Sequence, residues 1–165
     1  MQIYSASLLD IALNNLTLGR AALYKAILEG SSLDPCPSSL QLAVDGLRRA
    51  GDTTRLPSGF LTRAWLRSLS GARTGPESAQ SDLDEAWEIA VRGPMPLFLA
   101  DIHLHRARLF GGLESEVGRE KYPWESPAAD LAAARLLIEK HGYLRRKEEL
   151  EDAEAAASNW ASYTE

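Results

Sequence analysis

The chain has 165 residues, of which 45% are apolar and 25% are charged, a composition typical of a folded protein rather than a disordered one. Its formal net charge of −5 argues against nucleic acid as a partner, because no excess of basic side chains is available to release counterions from phosphates. A single cysteine excludes an internal disulfide, and neither a signal peptide nor an apolar run of ~20 residues is found, so we expect a cytoplasmic protein without membrane association.

The first predicted element is a helical hairpin over about residues 8–51. Ser7 and Asp10 have the spacing of a capping box, which marks a helix start. Apolar residues then recur every three or four positions as far as Gly30, which can close a helix in the left-handed conformation. A second helix is expected to begin near Ser38, whose hydroxyl suits a cap, and to end before Gly51.

Two further hairpins are predicted over about residues 57–93 and 96–142. The second helix of the first of these is expected to run from Pro76 to Arg92, and the other hairpin is expected to open at Pro96, since proline suits a first helical position. The other hairpin contains a long connection, residues 111–126, before its second helix. A last helix, about 144–160, begins with charged residues and is predicted to cap the array.

Two short patterns recur along the chain. An Arg-Ala-x-Leu segment occurs three times at a spacing of 43 residues, and its arginines are Arg20, Arg63 and Arg106. A Leu-x-x-Ala pattern recurs in the second helices and begins at Leu40, Leu83 and Leu131. No segment alternates as a strand would, and a fixed period of this size is typical of stacked supersecondary units. The sequence therefore predicts an all-α fold, an α-solenoid of stacked helical hairpins forming one domain over residues 1–165.

Two groups of residues carry a resemblance to known repeat families. Leu18-Gly19-x-x-Ala22, together with the spacing of Ala79, Leu83 and Ala86, resembles the tetratricopeptide repeat, although the period here is 43 residues. Residues 82–90 and 99–104 also look like the helical-repeat tails of large bacterial signalling ATPases of the STAND type. HEAT and armadillo repeats are an alternative with the same stacked architecture.

The resemblance implies a non-enzymatic module for protein–protein contact or sensing, within a longer bacterial signalling protein. Its partner would be a protein or peptide, including other domains of its own full-length chain, and it would need no cofactor. A structural spacer or self-association module, which would form homo-oligomers, is the alternative function. A small-molecule-binding or enzymatic helical domain is a third hypothesis.

The repeated arginines lead the predicted partner-binding residues. In a stacked array their guanidinium groups would form a ladder suited to carboxylates, and His103 would lie on the same wall. The alternative is that each arginine packs between helices and pairs with an acid, for which the sequence offers Asp10, Asp45, Asp84 and Asp101.

Two aromatic residues of the long connection, Tyr122 and Trp124, are the other predicted partner-binding residues. Tyrosine and tryptophan are common anchors of interfaces, although Trp124 could instead fold back onto the third hairpin. No catalytic or metal site is predicted, since His103 and His105 lie on different helix faces and Cys36 is interpreted as an unreactive loop thiol. An acidic cluster is interpreted as a solvated helix face, and its members are Asp82, Asp84, Glu85 and Glu88.

Overall fold

The computed structural model describes residues 7–34, 36–112 and 121–160. Its helices are α1 (Leu8–Glu29), α2 (Cys36–Arg49), α3 (Leu56–Leu69), α4 (Ala79–Arg92), α5 (Pro96–Phe110), α6 (Pro127–Lys140) and α7 (Lys147–Trp160), with a 3-10 turn (Leu144–Arg146) before α7. The described residues contain no strand, so the predicted all-α class is confirmed. No helix in these ranges has the length and apolar character to cross a bilayer. Most of the predicted long connection, residues 113–120, lies outside the description.

The ends of the helices follow local signals in the sequence. The hydroxyl of Ser7 accepts the backbone N–H of Asp10, and the Asp10 carboxylate accepts the N–H of Ser7, which is the predicted capping box. Gly30 closes α1 in the left-handed conformation at φ 61°. The helix expected at Pro76 begins instead at Ala79, because the hydroxyl of Ser78 accepts the N–H of Ser81 and caps the helix there.

The chain forms two compact units, an N-terminal unit (Met1–Ile89) and a C-terminal unit (Ala90–Glu165). The N-terminal unit contains α1, α2, α3 and most of α4, and the C-terminal unit contains α5, α6 and α7. The serial stacking of three hairpins at a 43-residue period, in one domain, remains a prediction.

Small residues set the spacing of the helices in the N-terminal unit. A β-carbon added to Gly46 would lie 2.7 Å from Cβ of Ala12, and one added to Gly19 would lie 2.5 Å from Cδ2 of Leu40. These paired contacts show that α1 and α2 run antiparallel with their backbones in close approach. Helix α3 packs on α2 and is buried over most of its surface, including the ring of Phe60 at 0% exposure.

The C-terminal unit is a three-helix core in which α5, α6 and α7 contribute apolar side chains to one cluster. Its buried members are Ala100, Leu104, Ala107, Leu131, Ala134, Ile138, Tyr143, Leu150 and Ala153. Ion pairs at the surface join α7 to its neighbours, with Arg135 of α6 bound to Glu154 and Arg108 of α5 bound to Glu149. The helix predicted over 144–160 is therefore packed by both apolar burial and charge pairing.

The two repeated patterns differ in how regularly they are buried. In the second helices the Leu-x-x-Ala residues lie in the core in every copy, namely Leu40, Ala43, Leu83, Ala86, Leu131 and Ala134. In the Arg-Ala-x-Leu copies the alanine environments differ, since Ala21 is exposed whereas Ala64 and Ala107 are buried. The second helices thus share one packing pattern, and the first helices do not.

We expect Gly46→Ala to lower the free energy of unfolding by about 1–2 kcal/mol, because the added methyl group forces the backbones of α1 and α2 apart. This is the net change, since the steric cost of about 2–3 kcal/mol is partly offset by a gain of about 1 kcal/mol in helix propensity. Gly59→Ala is the matched control, because its β-carbon would meet only the ends of the Val44 and Leu47 side chains, at 3.2 and 3.4 Å. Urea unfolding followed by circular dichroism measures both, and an unchanged midpoint for Gly46→Ala would contradict the close approach.

Candidate functional site

The predicted partner-binding residues fall into both units. His103, Arg106, Tyr122 and Trp124 come together in the C-terminal unit, around the buried carboxylate of Asp130. Arg20 and Arg63 lie in the N-terminal unit and bind different partners.

The carboxylate of Asp130 binds two of these side chains. Nδ1 of His103 lies 2.5 Å from Oδ1 of Asp130, and the hydroxyl of Tyr122 donates to Oδ2. Asp130 and Tyr122 are each 5% exposed. Burial is the main cause that raises the pKa of Tyr122 above its ordinary value, and the hydrogen bond to Asp130 raises it further. The hydroxyl therefore keeps its proton and remains a donor.

Trp124 connects this carboxylate to Arg106. The Trp124 ring packs edge-on against Tyr122 and Phe110, with ring centroids 5.4 and 5.0 Å apart, and the guanidinium of Arg106 lies 4.5 Å from a Trp124 ring centroid. The two aromatic residues thus fold back onto α5 and α6, as in the packing alternative for Trp124. Arg106 is 7% exposed, so the surface this cluster offers to a partner is small.

The arginines of the N-terminal unit are bound inside the protein. Nε of Arg20 donates to Oγ1 of Thr62 at 2.9 Å, and its Nη2 donates to the carbonyl of Ser58 at 3.1 Å, so Arg20 joins α1 to α3. Arg63 pairs with Asp82, which is none of the acids that the sequence offered for this role. The interpretation of Asp82 as part of a solvated face is wrong, since Asp82 is 1% exposed.

Asp82 is shared by two guanidinium groups from α3. Arg63 binds it through two parallel hydrogen bonds, Nε to Oδ2 at 3.0 Å and Nη2 to Oδ1 at 2.6 Å, and Nη1 of Arg67 lies 2.9 Å from Oδ1. Burial raises the pKa of Asp82, and both arginines oppose that shift. Burial also lowers the pKa of Arg67, which indicates that the shared carboxylate does not fully offset the desolvation of this guanidinium.

A groove of about 380 Å³ opens beside these arginines, between the first turns of α2 and the second half of α3. Its lining residues are Pro37, Ser38, Gln41, Arg63, Leu66, Arg67 and Ser70. Leu66 and Arg63 are buried at 4% and 6% exposure and form the floor, whereas the exposed residues from α2 and the end of α3 form the rim. The groove therefore combines apolar surface with hydroxyl, amide and guanidinium groups.

The groove is the strongest candidate site because a ligand seated in it can form hydrogen bonds with the polar side chains that line it. Gln41 is already held in place, since its Oε1 accepts from Nη1 of Arg63 at 2.9 Å and its Nε2 donates to the carboxylate of Asp45. The charged residues that line the groove are Arg63 and Arg67, and Asp82 lies behind them with its side chain 2% exposed. Sites with an apolar lining and a few fixed polar groups are typical of ligand binding.

Sequence reasoning missed Asp82, Arg67, Gln41 and Asp130, although part of the signal was present. Asp82 and Asp130 each lie four residues before the alanine of a Leu-x-x-Ala pattern, and each therefore shares the buried stripe of its helix. Arg63 and Arg67 are four residues apart on one helix and share a face. The position of Gln41 against Arg63 depends on the packing of α2 on α3 and leaves no trace in either helix alone.

Two minor expectations concern Cys36 and metal binding. Cys36 is the first residue of α2 rather than a loop residue, it is buried, and burial raises the pKa of its thiol. Nδ1 of His105 lies 2.7 Å from the backbone carbonyl of Asp101 one turn earlier. Within the described ranges, no three His, Cys, Asp or Glu side chains are grouped as a metal site would require.

We expect Asp82→Asn to lower the free energy of unfolding by about 3 kcal/mol, because it leaves the buried guanidinium of Arg63 and the half-buried one of Arg67 without their shared carboxylate. Glu88→Gln is the control, since Glu88 is an exposed acid of the same helix and its change should stay within about 0.5 kcal/mol. Urea unfolding of the two variants beside the wild type makes the comparison. Equal midpoints would show that Asp82 does not hold the arginines.

We expect Tyr122→Phe to destabilise the C-terminal unit by about 1.5–3 kcal/mol, because the Asp130 carboxylate loses a hydrogen bond in a buried position. Tyr24→Phe is the matched control, since Tyr24 is 50% exposed and its edge-on contact with Trp65 needs only the ring. The midpoint of thermal unfolding should fall for Tyr122→Phe and stay unchanged for Tyr24→Phe. A shift of equal size in both variants would argue against the Tyr122–Asp130 bond.

Comparison of the chain with models of protein families, with curated proteins and with solved structures finds no match. The resemblance to tetratricopeptide repeats and to STAND-type ATPases therefore remains a prediction from the residues that carry it. The function has to be inferred from the chemistry of the groove and from the packing around it.

Proposed function

We propose that the protein is a non-enzymatic interaction module that binds a peptide segment of another protein in the groove between α2 and α3. The observation that supports this proposal is the composition of the groove, in which Leu66 and Pro37 supply apolar surface and Ser38, Gln41 and Ser70 supply hydrogen-bonding groups. Its volume of about 380 Å³ suits one or two side chains of a peptide.

The rigidity of the groove also favours binding. Arg63 is fixed by Asp82 and Gln41, and Gln41 is fixed in turn by Asp45. Side chains that are already ordered lose little conformational entropy when a ligand arrives. The proposal thus places the ligand on rigid helices rather than on a loop.

Self-association is a second candidate, favoured by an apolar face of α1. Ile11, Leu18 and Leu28 point outward with 47%, 62% and 85% of their surfaces exposed. They occur at spacings of seven and ten residues and lie along one side of the helix. Exposed apolar patches of this kind mark contact surfaces in soluble proteins.

Selection from a phage-displayed library of random peptides tests the leading proposal. Synthetic versions of the selected peptides are measured by fluorescence anisotropy against the wild type and against Ser38→Trp, which fills the groove from its rim. We expect Ser38→Trp to weaken binding by at least about tenfold, since the indole occupies the ligand's volume.

Ala21→Trp is the control for this experiment, because it places the same side chain on an exposed position of α1 away from the groove. It should leave the affinity unchanged. Recovery of no binding peptide, or of peptides that bind Ser38→Trp as tightly as the wild type, would contradict a groove-dependent function. Peptides that lose affinity only for Ala21→Trp would favour the α1 face instead.

A further inference from the structure

The groove presents positive charge without a matching negative charge on its lining. Arg63 and Arg67 both contribute to the lining, and the carboxylate that they share, Asp82, is buried behind them. Two further acids lie nearby: Asp45 is bound to Gln41 on the rim, and Glu77 acts on Arg67 through space but forms no ion pair with it within 4.0 Å in the described part of the chain. A ligand seated inside the groove therefore contacts a lining whose charged groups are guanidinium groups.

Arg67 has hydrogen-bonding capacity that the protein does not use. Its Nη1 donates to Asp82 and, at 3.3 Å, to the carbonyl of Ser78. Its Nε and Nη2 donate to no residue in the described ranges, and neither is among the buried polar atoms that lack a partner, so both are accessible to solvent. These two donors can therefore exchange hydrogen bonds to water for charge-assisted bonds to a ligand.

The free edge of Arg67 has the geometry of a carboxylate receptor. The same pair of atoms on the neighbouring Arg63, Nε and Nη2, binds both oxygens of Asp82 at 3.0 and 2.6 Å. Guanidinium and carboxylate groups match as two parallel hydrogen bonds, and this match gives direction as well as energy. One uncompensated cation also corresponds to one carboxylate rather than to a doubly charged phosphate.

We propose that the groove recognises acidic peptides, with a carboxylate of the ligand bound to Nε and Nη2 of Arg67 and its neighbouring residues packed on Leu66 and Pro37. This inference rests on the proposed peptide-binding function and names its ligand class. The carboxylate comes from an Asp or Glu side chain or from the peptide's C-terminus.

A cycle of substitutions on both molecules tests the proposal. Peptides that depend on the groove are synthesised with free and amidated C-termini, and each Asp or Glu is replaced by Asn or Gln. On the wild type, loss of the critical carboxylate should weaken binding about 10- to 100-fold, as expected for a charged hydrogen-bonded pair. On Arg67→Gln the same replacement should have little further effect, because the partner is already gone.

Arg49→Gln is the matched control, since Arg49 is an exposed arginine at the end of α2, outside the groove. It should bind the peptides as the wild type does. Arg67→Lys is a second variant that retains the charge and loses the paired geometry, so it should bind the acidic peptide with intermediate affinity. Circular dichroism shows whether each variant is folded. If Arg67→Gln does not fold, the affinity of Arg67→Lys for the acidic peptide decides whether Arg67 binds the carboxylate.

The outcomes distinguish failure of the acidic-ligand inference from failure of the proposed peptide-binding function. Groove-dependent peptides that tolerate removal of every carboxylate would overturn the acidic-ligand proposal and leave the interaction module intact. Failure to recover any groove-dependent peptide would overturn the function itself. Competition provides a further check: N-acetylglutamate should displace the peptide and N-acetylglutamine should not, whereas displacement by inorganic phosphate alone would assign the groove to a different anion.

Discussion

The buried carboxylate of Asp82 forms the ion pairs on which the N-terminal unit depends. It neutralises one of two guanidinium groups from α3, and through Arg63 and Gln41 it connects α4 with α2. Removing charged groups from water is unfavourable unless they are paired and hydrogen-bonded, so this contact is tolerated only in one well-defined geometry. The orientation of both arginines, and with it the chemistry of the groove, follows from that requirement.

The C-terminal unit also contains a buried aspartate in a helix, but this aspartate binds different partners. Asp130 occupies the position in α6 that Asp82 occupies in α4, directly before the leucine of the Leu-x-x-Ala pattern. It binds His103 and Tyr122 instead of two arginines, and the ring of Trp124 packs on Tyr122. The N-terminal unit therefore has cationic groups beside an open groove, whereas in the C-terminal unit aromatic rings pack around the buried polar residues.

Local sequence signals located the helices to within a few residues but did not identify the partners of their side chains. Helix α1 is found at the predicted residues because Ser7, Asp10 and Gly30 encode its ends within one turn of chain. The buried state of Asp82 follows from its helical position, but its polarity argued for solvent, and only the arginines of α3 resolve that conflict. The repeated arginines have unequal partners, because a shared position along the chain does not fix what the neighbouring helix places opposite it.

The single thiol of the chain provides a native reporter at the candidate site. Cys36 begins α2 and is fully buried next to Pro37, which belongs to the groove lining. Because burial both shields the sulfur and disfavours its thiolate, alkylation requires the start of α2 to separate from the residues that cover it. The rate of labelling by a thiol reagent thus measures local opening at one wall of the groove, without any dye or engineered residue.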